Sequence, residues 1–260
     1  MRHLIWMVLF IGPYLCDGQS AKPLPLRKSG QRAKAAGSAK PSVSTRKPAV
    51  STSQACPGTP TVEDIDGNVY KTVKIGTQCW MKRNLKVSRY TNGDAIPTDM
   101  DNDQWSKTEE GAYSIYEDDP ANDALYGKLY NHYAVTDDRG LCPTGWHVPS
   151  DEEWTTLEDF LGVPEVAGGK LKSTARQPAP GGWDLPNRGA TNSSGFSALP
   201  GGNRTIDGGF FAMAGSGFWW SSSVFSGSDA WNRSLYDGYS GITRVSSDRT
   251  FGFSVRCCRD

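Results

Sequence analysis

The chain has 260 residues, 37% hydrophobic and 22% charged, enough for one sizeable core or two small ones and too polar for a membrane-dominated protein. Equal totals of 28 basic and 28 acidic residues hide an asymmetry: residues 19–55 carry eight basic residues and no acid, whereas residues 56–260 carry 19 basic against 27 acidic, a charge of about −8. An acidic body lacks the basic stripe that neutralises phosphates, which argues against a nucleic-acid partner, and 29 Gly, 16 Pro and 9 Trp against 5 Met favour short strands and aromatic-bearing loops over a helical bundle.

Met1-Arg2-His3 ahead of the apolar run Leu4 to Leu15 has the charged start and short apolar centre of a secretory signal, too short to span a bilayer well. Small Cys16 and Gly18 stand where a signal peptidase reads, so cleavage after Gly18 is expected. Acylation of Cys16 is the alternative, disfavoured by Leu15 at a position that wants a small residue. The expectation is a secreted or outer-cell-surface protein with signal 1–18 and no transmembrane span after cleavage. Residues 19–55 have no Trp, Tyr or Phe and no apolar periodicity. Such a segment cannot offset its ordering entropy, and it reads as a disordered basic linker rich in Pro, Ser and Lys. In an oxidising compartment Cys56, Cys79, Cys142, Cys257 and Cys258 are disulfide partners before they are metal ligands, and their odd number leaves one unpaired. There is no Cys-x-x-Cys, and His132 and His147 stand isolated among aromatics and turns. Each reads as a satisfied, partly buried histidine, with no metal and no cofactor assigned.

The body, 56–260, opens on a hairpin: Thr61 to Ile65, the turn Asp66-Gly67, and the alternating Val69 to Ile75. Cys79 follows its second arm, and a bridge from Cys56 to Cys79 would pin the edge of the domain to the hairpin. Residues 90–125, with Asp99, Asp101, Asp103, Asp118, Asp119 and Asp123, read as long loops whose acids are solvated; their spacing does not match an EF-hand. Tyr126, Leu129, Tyr130 and Tyr133 recur near helical spacing and predict one short amphipathic helix. Ser150 followed by Glu153 is a capping box, so a helix starts there with Asp151 and Glu152 at the positive end of its dipole, a capping role rather than a catalytic one. Its apolar stripe is Trp154, Leu157, Phe160 and Leu161, and Gly162 stops it. From Gly181 onward Gly and Ser serve turns while interleaved aromatics supply core, and no phosphate loop is present. Three terminal strands are expected at Ala230–Tyr236, Ile242–Ser246 and Phe251–Cys257.

Several motifs recur in order: Ile75-Gly-Thr-Gln-Cys-Trp-Met81, Gly127-Lys-Leu-Tyr-Asn131, Leu141-Cys-Pro-Thr-Gly-Trp-His-Val-Pro-Ser150, Gly195-Phe-Ser-Ala-Leu-Pro-Gly-Gly202, Trp219-Trp-Ser-Ser222 and Gly252-Phe-Ser-Val-Arg-Cys257. Together they resemble the Fibrobacter succinogenes major paralogous domain over essentially all of 56–260. The resemblance implies an exported or cell-surface bacterial protein and the pairing of Cys142 with Cys257, leaving Cys258 as the odd thiol. More distantly, the Trp146–Trp154 stretch and the terminal motif are similar to the formylglycine-generating, sulfatase-modifying enzymes. That likeness implies an α+β, C-type lectin-like domain with twisted antiparallel sheets, few helices and long loops.

Those enzymes hold copper with a cysteine pair before the terminal strand, but Leu235 to Thr250 contains no Cys. An oxidase of this kind is therefore the weakest of three readings. The same fold also serves as a ligand-binding scaffold, in which variable residues near the C-terminus contact the ligand. Trp231, Arg233, Tyr236, Asp237, Tyr239 and Arg244 fall in the matching stretch, and Tyr, Trp and Arg give rigid contact area and directional hydrogen bonds. The leading expectation is a non-catalytic module that binds a glycan or a surface protein. The alternative is a structural envelope or matrix domain that assembles with copies of itself.

Overall fold

Asp66-Gly67 turns the chain between β1 (Thr61–Glu63) and β2 (Val69–Ile75), with Thr61 opposite Lys71 and Glu63 opposite Val69. Gly67 sits at φ +81°, which a side chain would resist, and the buried Asp64 carboxylate accepts from the backbone N–H of Asp66 and Asn68 and from the Tyr70 hydroxyl at 2.6 Å. This computed structural model describes residues 53–260; the expected signal, 1–18, and residues 19–52 of the expected linker lie outside the described residues. Along the chain follow β3 (Gln78–Met81), α1 (Asn102–Lys107), β4 (Tyr113–Ser114), a 3₁₀ turn (Tyr116–Asp118), α2 (Pro120–Tyr126), β5 (Leu129–Tyr130), α3 (His132–Val135) and β6 (Trp146–His147). Next come α4 (Asp151–Leu161), α5 (Pro164–Leu171), β7 (Gly201–Arg204), β8 (Phe210–Met213), β9 (Ser216–Val224), β10 (Asp229–Tyr236), β11 (Thr243–Asp248) and β12 (Cys258–Arg259).

The strands form two five-stranded sheets, ordered β1-β2-β3-β12-β6 and β11-β10-β9-β7-β8, and a small β4-β5 pair. Pairing is antiparallel except for β7 beside β9, where Gly202 faces Gly217. Short helices and largely antiparallel sheets make this an α+β domain. Among the described residues no helix is long and apolar enough to cross a membrane.

Four expectations are corrected. Residues 90–125 are not all loop: Asp101 caps α1 in a capping box with Gln104, and Asp119 caps α2 with Pro120 at its first position, so two of the acids in that segment begin helices. Tyr126 to Tyr133 is not one helix, because Gly127 turns at φ +76° and Tyr130 then pairs across to Tyr113 and bridges to Phe253. Phe160 leaves the predicted stripe of α4 and is 63% exposed, whereas Trp154, Leu157 and Leu161 are buried. Phe251–Cys257 is not a regular strand; it threads between elements, bridging singly from Gly252 to Arg204, Phe253 to Tyr130 and Ser254 to Trp219.

Apolar residues collect in two clusters, one including Tyr130, Trp220, Phe253 and Val255, the other including Trp80, Trp154, Trp183, Phe196 and Trp219. Asn84 joins them: its Oδ1 accepts from Trp219 Nε1 at 2.9 Å and from Arg256 Nη2 at 2.7 Å, while its Nδ2 donates to Tyr126 O and Ser254 Oγ. Arg256 is fully buried over the Phe196 ring, and burial pushes its guanidinium down to about 9. Disulfides join Cys56 to Cys79 and Cys142 to Cys257, with Cα separations of 5.6 and 6.0 Å, and Cys258 is a buried free thiol.

Candidate functional site

Ser150 sets the start of α4: its hydroxyl accepts from Glu153 N at 3.2 Å and its own N–H donates to Glu153 Oε2 at 2.8 Å. That start fixes Asp151 against β10 and β11, where Arg233 and Arg244 stand directly opposite one another. Arg233 Nη1 lies 2.7 Å from Asp151 Oδ1, its Nε donates to Glu158, and its Nη2 reaches Asp151 O and Thr155 Oγ1, both at 3.2 Å. Arg244 grips the same carboxylate with two nitrogens, Nη2 to Oδ2 at 2.7 Å and Nε to Oδ1 at 2.9 Å. Burial pushes the Asp151 carboxyl up, but the bonds from Arg244 and Arg233 outweigh it and hold the group below the usual carboxylate range. Asp151 therefore anchors two cations of different character. Arg233 has no exposed surface, whereas the Arg244 side chain is 43% exposed.

The Arg244 guanidinium lies 3.3 Å from the centre of the Trp231 ring, and Phe225 meets the same ring edge-on at 4.6 Å. The β9–β10 register shifts between Ala230 and Asn232, and such an irregularity re-aims a side chain at the end of a strand pair. Trp231 is half-buried, and Phe225, packed on it, is exposed. The result is a guanidinium held rigidly over the Trp231 ring beside the exposed ring of Phe225, a surface that offers apolar ring area and directional donors together.

The six residues singled out in the sequence do not form one site. Trp231 and Arg244 come together; Arg233 is withdrawn from solvent and ties β10 to α4, so its expected place on a ligand-contacting surface is corrected. Tyr236, Asp237 and Tyr239 sit at the other end of β10, about 16 Å from Trp231 by strand rise. There the buried Lys172 donates to Tyr236 O and Tyr239 O, each at 2.8 Å, and holds the loop, with Tyr239 exposed. Phe225, at the tip between β9 and β10, carries no signal in the sequence because β9 itself is not legible there, and the Ser150–Glu153 capping box points to Asp151 as a cap alone. A wider cleft of about 540 Å³ lies elsewhere, lined by Glu109, Tyr133, Arg139 and Arg249. Its arginines already have partners: Arg139 pairs with Asp94 and Asp137 and covers Tyr90, and Arg249 covers Tyr133.

No curated protein and no solved structure matches the chain. Residues 73–259, from within β2 to the last residue of β12, match the family model of the Fibrobacter succinogenes major domain, and the chain belongs to that family.

Proposed function

We propose that this protein is an exported or cell-surface, non-catalytic binding module of C-type lectin-like fold that takes a glycan at the Trp231–Phe225–Arg244 surface. The observation that carries the reading is the half-buried Trp231 beneath a guanidinium fixed in place by Asp151, with the exposed Phe225 edge-on beside it. A sugar ring presents C–H faces that stack on an exposed aromatic ring such as Phe225 and hydroxyls that accept from a guanidinium, and rigid donors avoid an ordering cost on binding. The two disulfides and the signal-like N-terminus support an oxidising, extracytoplasmic location, and the basic linker suits a tether. The missing cysteine pair between Leu235 and Thr250 supports binding over oxidase chemistry. The test is an array of glycans and envelope polysaccharides probed with the full chain and with Trp231→Ala and Arg244→Ala. Binding lost in both variants supports the reading; binding unaffected in both refutes the surface, and a blank array moves the partner to a protein.

A second reading rests on a different patch. Phe160, Val163 and Val166 at the α4–α5 corner are exposed, an apolar cluster of the kind that meets another copy of the chain in a self-assembling envelope domain. Mass that rises with concentration in light scattering and falls on Phe160→Ser favours it, and a monomer at all concentrations rejects it.

A further inference from the structure

His147, the buried thiol of Cys258, Glu153 and Asp260 converge at one end of the β12–β6 pair, away from any group used above except the Ser150 cap. Cys258 on β12 stands opposite His147 on β6, and Glu153 comes in from the first turn of α4, so three elements contribute. A His147 ring nitrogen, a Glu153 carboxylate oxygen and the Cys258 Sγ all lie within 4.8 Å of one another, and it is Nε2 that meets Glu153, at 2.8 Å. On its other side the His147 ring places Nδ1 2.5 Å from Asp260 Oδ1. We propose that His147, Glu153 and Cys258 bind a transition-metal dication of the zinc class, with Asp260 orienting the imidazole.

Each feature of the cluster matches what such an ion requires. Imidazole, carboxylate and thiolate are the three donor types zinc takes, and a thiolate beside an imidazole disfavours calcium and magnesium. A carboxylate on the far nitrogen of a ligating histidine fixes its tautomer so that Nε2 faces the metal, the geometry found here for Asp260. Donors around a tetrahedral zinc stand roughly 3.3–3.8 Å apart, so His147 and Glu153, now 2.8 Å apart, separate slightly while the thiol moves in by about 1 Å. Glu153 keeps its cap, because Oε2 accepts from Ser150 N while Oε1 is left for the ion. Cys258 is 1% exposed, and its sulfur meets backbone groups alone, a long contact of 3.9 Å to Arg259 O and the Cys79 main chain, so among the described residues no charged side chain competes for it. Coordination displaces the thiol proton and any proton on Nε2 to solvent, leaving neutral imidazole, carboxylate and thiolate. Their two negative charges balance a dication. The His147 and Glu153 side chains are about one-third exposed, which gives the ion an entry path and leaves a fourth position open to water.

The experiment is a titration of the full, disulfide-intact chain with cobalt(II), followed by zinc competition. The expected result is one cobalt per chain with a thiolate-to-cobalt charge-transfer band that zinc bleaches and Cys258→Ser abolishes. Asp260→Asn, at an exposed side chain, is expected to weaken cobalt binding by about 10- to 100-fold with the circular-dichroism spectrum of the metal-free protein unchanged. No band at excess cobalt in the unaltered chain, or a band that survives Cys258→Ser, overturns the proposal. Should Cys258→Ser fail to fold, an affinity unchanged in Asp260→Asn overturns it alone.

Discussion

Two arginines share the Asp151 carboxylate, and replacing each by alanine should destabilise the domain to very different extents. Arg233→Ala leaves Asp151 and Glu158, whose side chains are only 14% and 12% exposed, facing each other without the buried cation between them. Removing one partner of a buried ion pair costs about 3–5 kcal/mol, and for a domain of this size each kcal/mol lowers the melting temperature by roughly 2–4 °C. The expected fall is therefore about 6–20 °C by differential scanning calorimetry. Arg244→Ala removes a pair that is 43% open to solvent, where screening and side-chain entropy leave about 0.2–1 kcal/mol. Asp151 keeps Arg233 in that variant, so the melting temperature should drop by less than about 4 °C. The depressed Asp151 pKa adds a pH signature. Its folded value lies below the unfolded one, so its stabilisation is full above the ordinary carboxylate range and is lost as pH falls through the folded value. A difference in melting temperature between the unaltered chain and Arg233→Ala that does not shrink on acidification, or one below 2 °C at neutral pH, would refute the assignment of Arg233 as the buried anchor.

Loop length orders the disulfides: by chain entropy, Cys142–Cys257, which closes 115 residues, contributes about 5 kcal/mol and Cys56–Cys79, which closes 23, about 3 kcal/mol, so paired Cys→Ser variants should lose urea stability in that order. Buried His132 donates Nε2–H to Ser221 O, its Nδ1 has no partner among the described residues, and burial with Arg249 nearby pushes its pKa down to about 4. Because the unfolded chain then binds the extra proton first, acidification from pH 8 to pH 5 should cost about 2 kcal/mol, and urea melts of His132→Gln should show that slope reduced by the same amount. Asn84→Ala removes two acceptor and two donor contacts at once and leaves Arg256 buried with one polar partner fewer; a loss of about 3 kcal/mol or more is expected in denaturant melts, and a loss below 1 kcal/mol would contradict its place as the joint between the clusters.

The features legible in the sequence are those whose partners are close along the chain. The 61–75 hairpin was readable because turn and alternation lie within 15 residues, and α4 because Ser150 and Glu153 satisfy each other locally. What failed depended on distant partners. Gly127 and the Phe253 bridge break the apparent helix at 126–133, and the 251–257 segment is extended without being a strand because its neighbours alternate among Arg204, Tyr130 and Trp219. Helix α5 went unread because its two glycines look like loop, yet they allow approach to the backbone of Gly241 and Gly189 that a Cβ would block. In the candidate site, a strand arginine looks like a surface contact until its acids, 75 and 82 residues away, are known to bury it. His147 looked isolated for the same reason: Cys258 and Asp260 reach it only through the β12–β6 pairing.

Hydrogen–deuterium exchange of the full chain with and without the tightest-binding array glycan tests the central claim most directly. The account predicts new protection at residues 224–231 and 244–246, absent in Trp231→Ala and retained in Tyr239→Ala. Protection confined to the Tyr236–Tyr239 end of β10 or to the Arg139–Arg249 cleft, with Trp231→Ala binding normally, would contradict it.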